Sequence, residues 1–228
     1  MTAGIIVALD DPDIEVSSRL AKDLGPQVAA LKVGLTSWSA HGPESVKAIQ
    51  PYGRVFYDAK LHDIPHQVGG AAAQLTKLGV WMFTLHASGG KQMIEAATRA
   101  ASEADSSPIV AAVTVLTSIS SADLENVGQG RDTSSQVLRL AEVALLAGAG
   151  ALVCSPFEIE VLRQTFGDEP ILVVPGIRDV EGGDDQARTM TASQASKAGA
   201  NYLVVGRPIT QAPKPVAALG KVLEAVGG

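Results

Sequence analysis

Short apolar runs alternate along this chain with longer segments that mix polar and apolar residues. Eight of the runs have the length and composition of buried strands and are bounded by polar or turn-forming residues. They are Ile5–Leu9, Ala29–Val33, Val55–Tyr57, Trp81–Leu85, Ile109–Val115, Ala151–Cys154, Ile171–Val174 and Tyr202–Val205. Since they are almost continuously apolar, the pattern predicts strands buried on both faces, as in a parallel sheet.

The segments between these runs have the length and composition of helices. We predict helices over Asp13–Leu24, Gln67–Leu78, Gln92–Ala104, Ser134–Ala147, Glu158–Phe166 and Thr191–Ala198. Alternation of strands and helices favours an α/β fold of the closed (β/α)8 type, a TIM barrel, over an open doubly wound sheet. Because no long linker or low-complexity stretch marks a boundary, we expect residues 1–228 to form a single domain.

Composition supports this architecture and narrows the range of functions. Of the 228 residues, 46% are hydrophobic but only 4% aromatic, so the core is built mainly from Ala, Val, Leu and Ile. The net charge of −6 and the scattered basic residues argue against a nucleic acid or an anionic membrane as the main partner. The single cysteine, Cys154, lies in an apolar run and is expected to be a buried thiol in a reducing cytoplasm. The first residues predict no signal peptide.

The carboxyl ends of the strands are where a barrel of this kind carries its active site. Polar or turn-forming residues stand at all eight predicted ends, and we assign no role to Ser155 at the sixth. The other seven ends carry Asp10, Lys32, Asp58 with Lys60, His86, Thr117, Pro175-Gly176-Ile177-Arg178, and Gly206 with Arg207.

A lysine stands between two carboxylates in the segment Asp58-Ala59-Lys60-Leu61-His62-Asp63. Because side chains alternate along a strand, we expect Asp58 and Lys60 on one face. Nearby carboxylates favour an ammonium group, which can deliver a proton to a carbanion. The alternative is an ordinary ion pair at a strand end. Asp10 and Lys32 are predicted to form a second ion pair beside the first.

Two glycine-containing turns after the seventh and eighth strands predict a phosphate site. Arg207 adds a guanidinium group for charge-assisted hydrogen bonds. The segment from Arg178 to Gln186 contains paired glycines and is expected either to close over a ligand or to be a solvated connection.

Metal binding and nucleophilic catalysis have little support in the sequence. It contains no HExxH motif, no cysteine pair and no Gly-x-Ser-x-Gly, and each candidate acid has a lysine near it. We therefore predict no metal and no organic cofactor. Of the four histidines, His86 has the strongest claim to a place in the pocket because it stands at a strand end.

Four segments together resemble the orotidine 5'-phosphate decarboxylase family. They are Asp58 to Pro65 (DAKLHDIP), Pro175 to Arg178 (PGIR), Gly182 to Gln186, and Val205 to Thr210 (VGRPIT). They occur in the family's order, and the resemblance extends from Asp10 to Arg207. It implies decarboxylation of orotidine 5'-monophosphate to uridine 5'-monophosphate in pyrimidine biosynthesis, without a metal or an organic cofactor.

The resemblance also implies a role for each site residue. The catalytic group implied is Lys60, Asp58, Asp63 and Lys32. Lys60 would protonate C6 after carbon dioxide leaves, and Asp58 would lie against the substrate carboxylate. The other substrate contacts implied are Lys32 and Asp10 at the ribose, Thr117 at the pyrimidine, Gln186 and Arg207 at the phosphate, and Pro175, Arg178 and Gly206 lining the site.

Family members are homodimers with sites at the subunit interface. Asp63 and Ile64 correspond to the segment that reaches into the partner's site, so an obligate homodimer is implied. Gln67 stands where the family pattern has a threonine, so the ribose contacts there are expected to differ.

Two alternatives remain open from the sequence. A keto-sugar-phosphate decarboxylase or aldolase on the same barrel would need magnesium to hold an enediolate. A non-catalytic phosphate-binding barrel would keep Gly206 and Arg207 but would have no need for Asp58 and Lys60 together.

Overall fold

Eight parallel strands close into a barrel in the computed structural model, which describes residues 2–103, 107–177 and 190–227. Each strand pairs with the next in the chain, and the last pairs with the first. They are β1 (Gly4–Leu9), β2 (Ala30–Val33), β3 (Val55–Leu61), β4 (Met82–His86), β5 (Ile109–Val113), β6 (Ala151–Val153), β7 (Ile171–Val174) and β8 (Tyr202–Val205). The predicted (β/α)8 barrel is confirmed.

Helices follow the strands in chain order. They are α1 (Ile14–Leu24), α2 (Leu35–His41), α3 (Glu44–Lys47), α4 (Pro65–Leu78), α5 (Lys91–Ser102), α6 (Ser121–Asn126), α7 (Thr133–Leu146), α8 (Ile159–Phe166), α9 (Ala192–Lys197), α10 (Arg207–Thr210) and α11 (Pro215–Gly227). The six predicted helices differ from α1, α4, α5, α7, α8 and α9 only at their ends, and the predicted end at Ala104 lies outside the described residues. No helix in the described part of the chain is long and apolar enough to cross a membrane.

The strands are apolar on both faces because each contributes to two packed layers. Seven of them place one residue in a small cluster inside the barrel, made of Ile6, Ala30, Phe56, Met82, Ala111, Ala151 and Val173. The alternate residues pack against the surrounding helices in the main core. Small alanines in the inner layer leave room for the large Phe56 and Met82 side chains, so the barrel interior is filled beneath the strand ends.

Strand β3 departs from the predicted geometry. We expected it to end at Tyr57, but it continues to Leu61, and its pairing register with β4 shifts between those two residues. Lys60, inside the shifted segment, has a φ of 50° and is the only non-glycine with positive φ in the described ranges. The expectation that side chains alternate regularly through this segment is therefore wrong, although the side chains of Asp58 and Lys60 still contact each other.

The amino-terminal side of the barrel is tied together by one arginine. Arg163 on α8 donates hydrogen bonds to the carbonyl oxygens of Gly167, Pro170 and Gly199 and to Oδ1 of Asn201, at 2.6 to 3.0 Å. These acceptors lie in the segments that precede β7 and β8, so the guanidinium group links those two segments. This face is opposite the strand ends that carry the site.

Replacing Arg163 with methionine is expected to lower the free energy of unfolding by about 2–4 kcal/mol, because several partly buried acceptors lose a charged donor at once. Urea unfolding measures this. The matched control is Arg19→Met at an exposed position of α1, which should change stability by less than about 0.5 kcal/mol. Equal losses in both variants would contradict the assigned role of Arg163.

Candidate active site

A cavity of about 400 Å³ opens at the carboxyl ends of the strands. It brings together eight of the predicted site residues, which come from segments far apart in the sequence. They are Asp10, Lys32, Asp58, Lys60, Thr117, Pro175, Gly206 and Arg207. The closed barrel explains this meeting, since parallel strands all present their carboxyl ends at one face.

Four of these residues form a chain of alternating charges across β1, β2 and β3. Lys32 Nζ lies 2.9 Å from Asp10 Oδ1 and 3.5 Å from Asp58 Oδ2. Lys60 Nζ lies 2.9 Å from Asp58 Oδ1. Each carboxylate is therefore next to a lysine, and Asp58 is held between two of them.

The inner members of this chain are the most buried. The side chains of Lys32 and Asp58 are 9% and 16% exposed, whereas those of Lys60 and Asp10 are 29% and 51% exposed. Burial by itself raises the pKa of Asp58, but Lys32, Lys60 and a hydrogen bond from Thr84 outweigh it and hold that pKa below its usual value. Asp58 is thus an anion at neutral pH, held between the side chains of Lys32 and Lys60.

Thr84 on β4 supports the charged residues from behind. Its hydroxyl donates to Asp58 Oδ1 at 2.9 Å and accepts the backbone N–H of Lys60 at 2.8 Å. Sequence reasoning missed this residue. The available signal was a hydroxyl two positions after Met82, on the inward-facing side of an apolar strand.

The opposite wall of the cavity is apolar. It is formed by residues of β5 to β8 and the turns that follow them, including Val113, Val153, Val173, Ile177 and Val204. The four residues of the charge chain lie on β2, on β3 and directly after β1, so this side of the cavity is charged and faces an apolar one, while Arg207 adds a charge after β8. Such a space suits a flat ring that carries a charged substituent on one edge.

The rim next to β7 and β8 contains the predicted phosphate residues. Pro175 and Gly176 follow β7, while Gly206 and the exposed Arg207 follow β8. Arg178 and Gln186, which the sequence also assigns to the substrate, lie outside the described residues.

Comparison with known proteins identifies the family. A family model described as "Orotidine 5'-phosphate decarboxylase / HUMPS family" matches residues 4–222. The chain belongs to this family. It is 46% identical over 223 residues to the orotidine 5'-phosphate decarboxylase of Moorella thermoacetica, with 94% of this chain and 88% of that protein covered.

Two further similarities agree with membership of the orotidine 5'-phosphate decarboxylase family. The enzyme of that name from Thermobifida fusca is 46% identical, with 96% of this chain and 93% of the relative covered. The crystal structure of orotidine 5'-phosphate decarboxylase from Lactobacillus acidophilus matches with a TM-score of 0.85 and 35% identity, covering 99% of this chain and all of that one (100%).

Three predicted site residues do not line the cavity of their own chain. Asp63, Ile64 and Gln67 are exposed where β3 leads into α4. Asp63 Oδ1 accepts the backbone N–H of Ile64 at 2.6 Å, and Ile64 is 62% exposed. The segment therefore projects from the barrel.

His86 does not line the cavity, contrary to the expectation that a histidine at the end of β4 belongs to the pocket. Its ring packs against that of His62, with centroids 5.4 Å apart. Burial lowers the pKa of His86, and the neighbouring His62 and Lys60 lower it further despite the opposing effect of Asp58. The imidazole is therefore neutral at neutral pH.

Cys154 and the acidic residues were the remaining candidates for a nucleophile or a metal site. Cys154 is 1% exposed, and burial, with a smaller contribution from Glu158, raises the pKa of its thiol well above the usual value. The predicted buried thiol is confirmed. Among the described residues, no group of three or more His, Cys, Asp or Glu side chains is arranged to hold a metal ion.

Acid should weaken the folded state through Asp58 in a predictable direction. A carboxyl group whose pKa is lowered on folding contributes stability above its unfolded pKa, about 3.9, and that contribution is lost as the pH falls through the lower folded pKa. We expect the free energy of unfolding to fall more steeply below pH ~4 in the wild type than in Asp58→Asn. Urea unfolding between neutral and acidic pH measures both slopes, and parallel curves would contradict the pKa assignment.

Proposed function

We propose that this protein decarboxylates orotidine 5'-monophosphate to uridine 5'-monophosphate, the reaction named in its relatives, as a step of pyrimidine biosynthesis. The observation that carries the proposal is the alternating chain Asp10–Lys32–Asp58–Lys60 inside the barrel cavity of a chain in this family. The Lys60 ammonium group stands at one end of this partly buried charge chain, where a substrate can reach it.

The chemistry follows from the charge that develops during the reaction. Breaking the bond between C6 and the carboxylate releases carbon dioxide and leaves the electron pair on C6. The ammonium group of Lys60 stabilises that charge and then transfers a proton, forming the C6–H bond and leaving a neutral amine that water reprotonates. Asp58, 2.9 Å from Lys60 Nζ, fixes the position of the ammonium group and faces the substrate carboxylate.

The remaining cavity residues bind the parts of the nucleotide that do not react. Lys32 and Asp10 contact the ribose, and Thr117 contacts the pyrimidine, whose ring rests on the apolar wall. Arg207 and Gln186 hold the phosphate, and Pro175, Arg178 and Gly206 are further substrate contacts. Binding energy from this remote end holds the ring in place for the reaction at C6.

The active unit in this proposal is a cytoplasmic homodimer. Ile64 supports it, because a large apolar side chain that is 62% exposed beside the site is a typical interface residue. Asp63 and Ile64 reach into the partner's site, and Gln67 on the first turn of α4 contacts the ribose there. Each cavity thus needs residues from two chains.

Magnesium-dependent chemistry on a keto-sugar phosphate is not favoured. The relatives that match over most of the chain carry the decarboxylase name, and each cavity carboxylate, Asp10 and Asp58, has a lysine within 3.5 Å. Those lysines compete with a cation for the carboxylate oxygens. We propose a reaction that uses neither a metal nor an organic cofactor, and the intact charge chain gives a purely phosphate-binding role no support.

Product analysis in heavy water tests the proposed reaction. The exchangeable protons of Lys60 are deuterons in D2O, so NMR of the product should show uridine 5'-monophosphate with one deuterium at C6. Recovery of unchanged orotidine 5'-monophosphate would contradict the proposed function.

Arg207→Ala is expected to act on binding more than on chemistry. Loss of a charge-assisted contact to phosphate should raise KM about 10- to 100-fold and leave kcat within about threefold of wild type. Steady-state kinetics measures both constants, and Arg99→Ala on the exposed face of α5 is the control. Equal KM values in wild type and Arg207→Ala would contradict phosphate binding by Arg207.

A further inference from the structure

Thr84 joins two groups that the proposed reaction needs, although it does not line the cavity. It lies on β4 and is fully buried, with 0% of its surface exposed. Its hydroxyl oxygen accepts the Lys60 backbone N–H at 2.8 Å, and its proton is donated to Asp58 Oδ1 at 2.9 Å. A single side chain therefore contacts the backbone of one charged residue and the carboxylate of the other.

The backbone of β3 explains why a side chain is needed at this point. The ladder between β3 and β4 pairs Tyr57 with Phe83, then shifts before pairing Leu61 with Leu85. Lys60 lies within the shift at a φ of 50°, a conformation that costs a non-glycine residue free energy. The Thr84 hydroxyl supplies the acceptor for the Lys60 N–H there, so this backbone donor has a hydrogen-bond partner despite the shifted register.

The same hydroxyl also fixes the carboxylate. Asp58 Oδ1 accepts from both Thr84 Oγ1 and Lys60 Nζ, while Oδ2 faces Lys32 Nζ at 3.5 Å. With both oxygens occupied, the carboxylate has little freedom to rotate. The donation from Thr84 stabilises the charged form of the carboxylate.

We infer that Thr84 is a positioning residue for the decarboxylation, which holds the Lys60 backbone and the Asp58 carboxylate in one arrangement. This inference rests on the proposed function. It assigns Thr84 no contact with substrate, so its removal should slow the chemical step without weakening nucleotide binding. A small displacement of Lys60 and Asp58 slows the chemical step, because catalysis depends on their alignment with the substrate.

Thr84→Val and Thr84→Ser separate the hydroxyl from the volume it fills. Valine keeps the shape but removes both hydrogen bonds, whereas serine keeps the hydroxyl. We expect Thr84→Val to lower kcat about 10- to 100-fold with KM within about threefold of wild type, and Thr84→Ser to stay near wild type. Unchanged kcat in the valine variant, or equal losses in both variants, would overturn the inference.

A second readout does not depend on turnover. Carbon-13 NMR follows the titration of the Asp58 carboxyl group, which faces Lys32 and Lys60 in every variant, and Asp58→Asn identifies its signal. Loss of the Thr84 donor should raise the pKa of Asp58 in Thr84→Val and leave it near the wild-type value in Thr84→Ser. No shift in the valine variant would overturn the inference.

The two readouts distinguish failure of this inference from failure of the proposed function. An inert wild type that still shows the Asp58 shift in Thr84→Val would refute decarboxylation and support the positioning contact. If the wild type is active and Thr84→Val is equally active, decarboxylation would be supported and the positioning role of Thr84 refuted. Circular dichroism checks folding, with Thr84→Ala as a second variant; if neither Thr84→Val nor Thr84→Ala folds, the role is structural and the inference is overturned.

Discussion

Lys60→Ala is expected to lower kcat for orotidine 5'-monophosphate by at least about ten-thousand-fold. The substitution removes a fixed positive charge beside C6, worth about 10²- to 10³-fold, and a general acid, worth about 10²- to 10⁴-fold. Lys60 is the last residue of the charge chain. The other lysine of that chain, Lys32, contacts the opposite oxygen of Asp58, so it cannot replace Lys60 as the proton donor at C6. Steady-state assays at saturating substrate measure the loss.

The matched control is Lys77→Ala, which removes an exposed lysine from α4 and should leave kcat unchanged. Calorimetric binding of uridine 5'-monophosphate to Lys60→Ala shows whether its cavity is still formed. A variant that binds the product normally and turns over within tenfold of wild type would contradict the role of Lys60 as proton donor.

Two inactive variants should restore activity to each other when they share a dimer. In the proposed homodimer each site takes Lys60 from one protomer and Asp63 from its partner. A mixed dimer of Lys60→Ala and Asp63→Ala then has one site with both residues intact. Random pairing of equal amounts makes about half of the dimers mixed, each with one intact site of two, so about a quarter of wild-type activity should return.

A matched mixture of variants shows whether the recovery depends on a residue that one protomer contributes to the site of the other. Lys60 and Asp58 come from the same chain, since their side chains meet at 2.9 Å. A mixed dimer of Lys60→Ala and Asp58→Ala therefore has no intact site and should recover nothing. Equal activity in the two mixtures, or no recovery in the first, would contradict an interface that completes the site through Asp63.

The barrel could be predicted from the sequence because its signal is repeated. Every strand faces packed layers on both sides, so eight separate apolar runs carry the same information and an error in one does not change the architecture. Five helices were not predicted, namely α2, α3, α6, α10 and α11. The first four span two turns or fewer, too few for an apolar face to show as a period. α11 is longer and has apolar residues at helical spacing, Leu219, Val222 and Val226, so that signal was overlooked.

The charge chain was predictable for a different reason. Asp10, Lys32, Asp58 and Lys60 stand at strand ends in an otherwise apolar pattern, and the closed barrel then forces those ends together. The hydrogen bonds from Thr84 that hold Asp58 and Lys60 were not predictable, since the shift in the β3–β4 register depends on both strands together. Thr84 went unnoticed because threonine is a common strand residue whose hydroxyl gains a partner only through that shift.

Decarboxylation of orotidine 5'-monophosphate by the residues of the charge chain requires no metal in the proposed mechanism. The most direct test follows the absorbance of this substrate with purified, EDTA-treated wild-type protein and measures the carbon dioxide released. We expect full turnover in EDTA, with one carbon dioxide and one uridine 5'-monophosphate formed for each substrate molecule consumed. A protein that is inert until magnesium and a keto-sugar phosphate are supplied would contradict it.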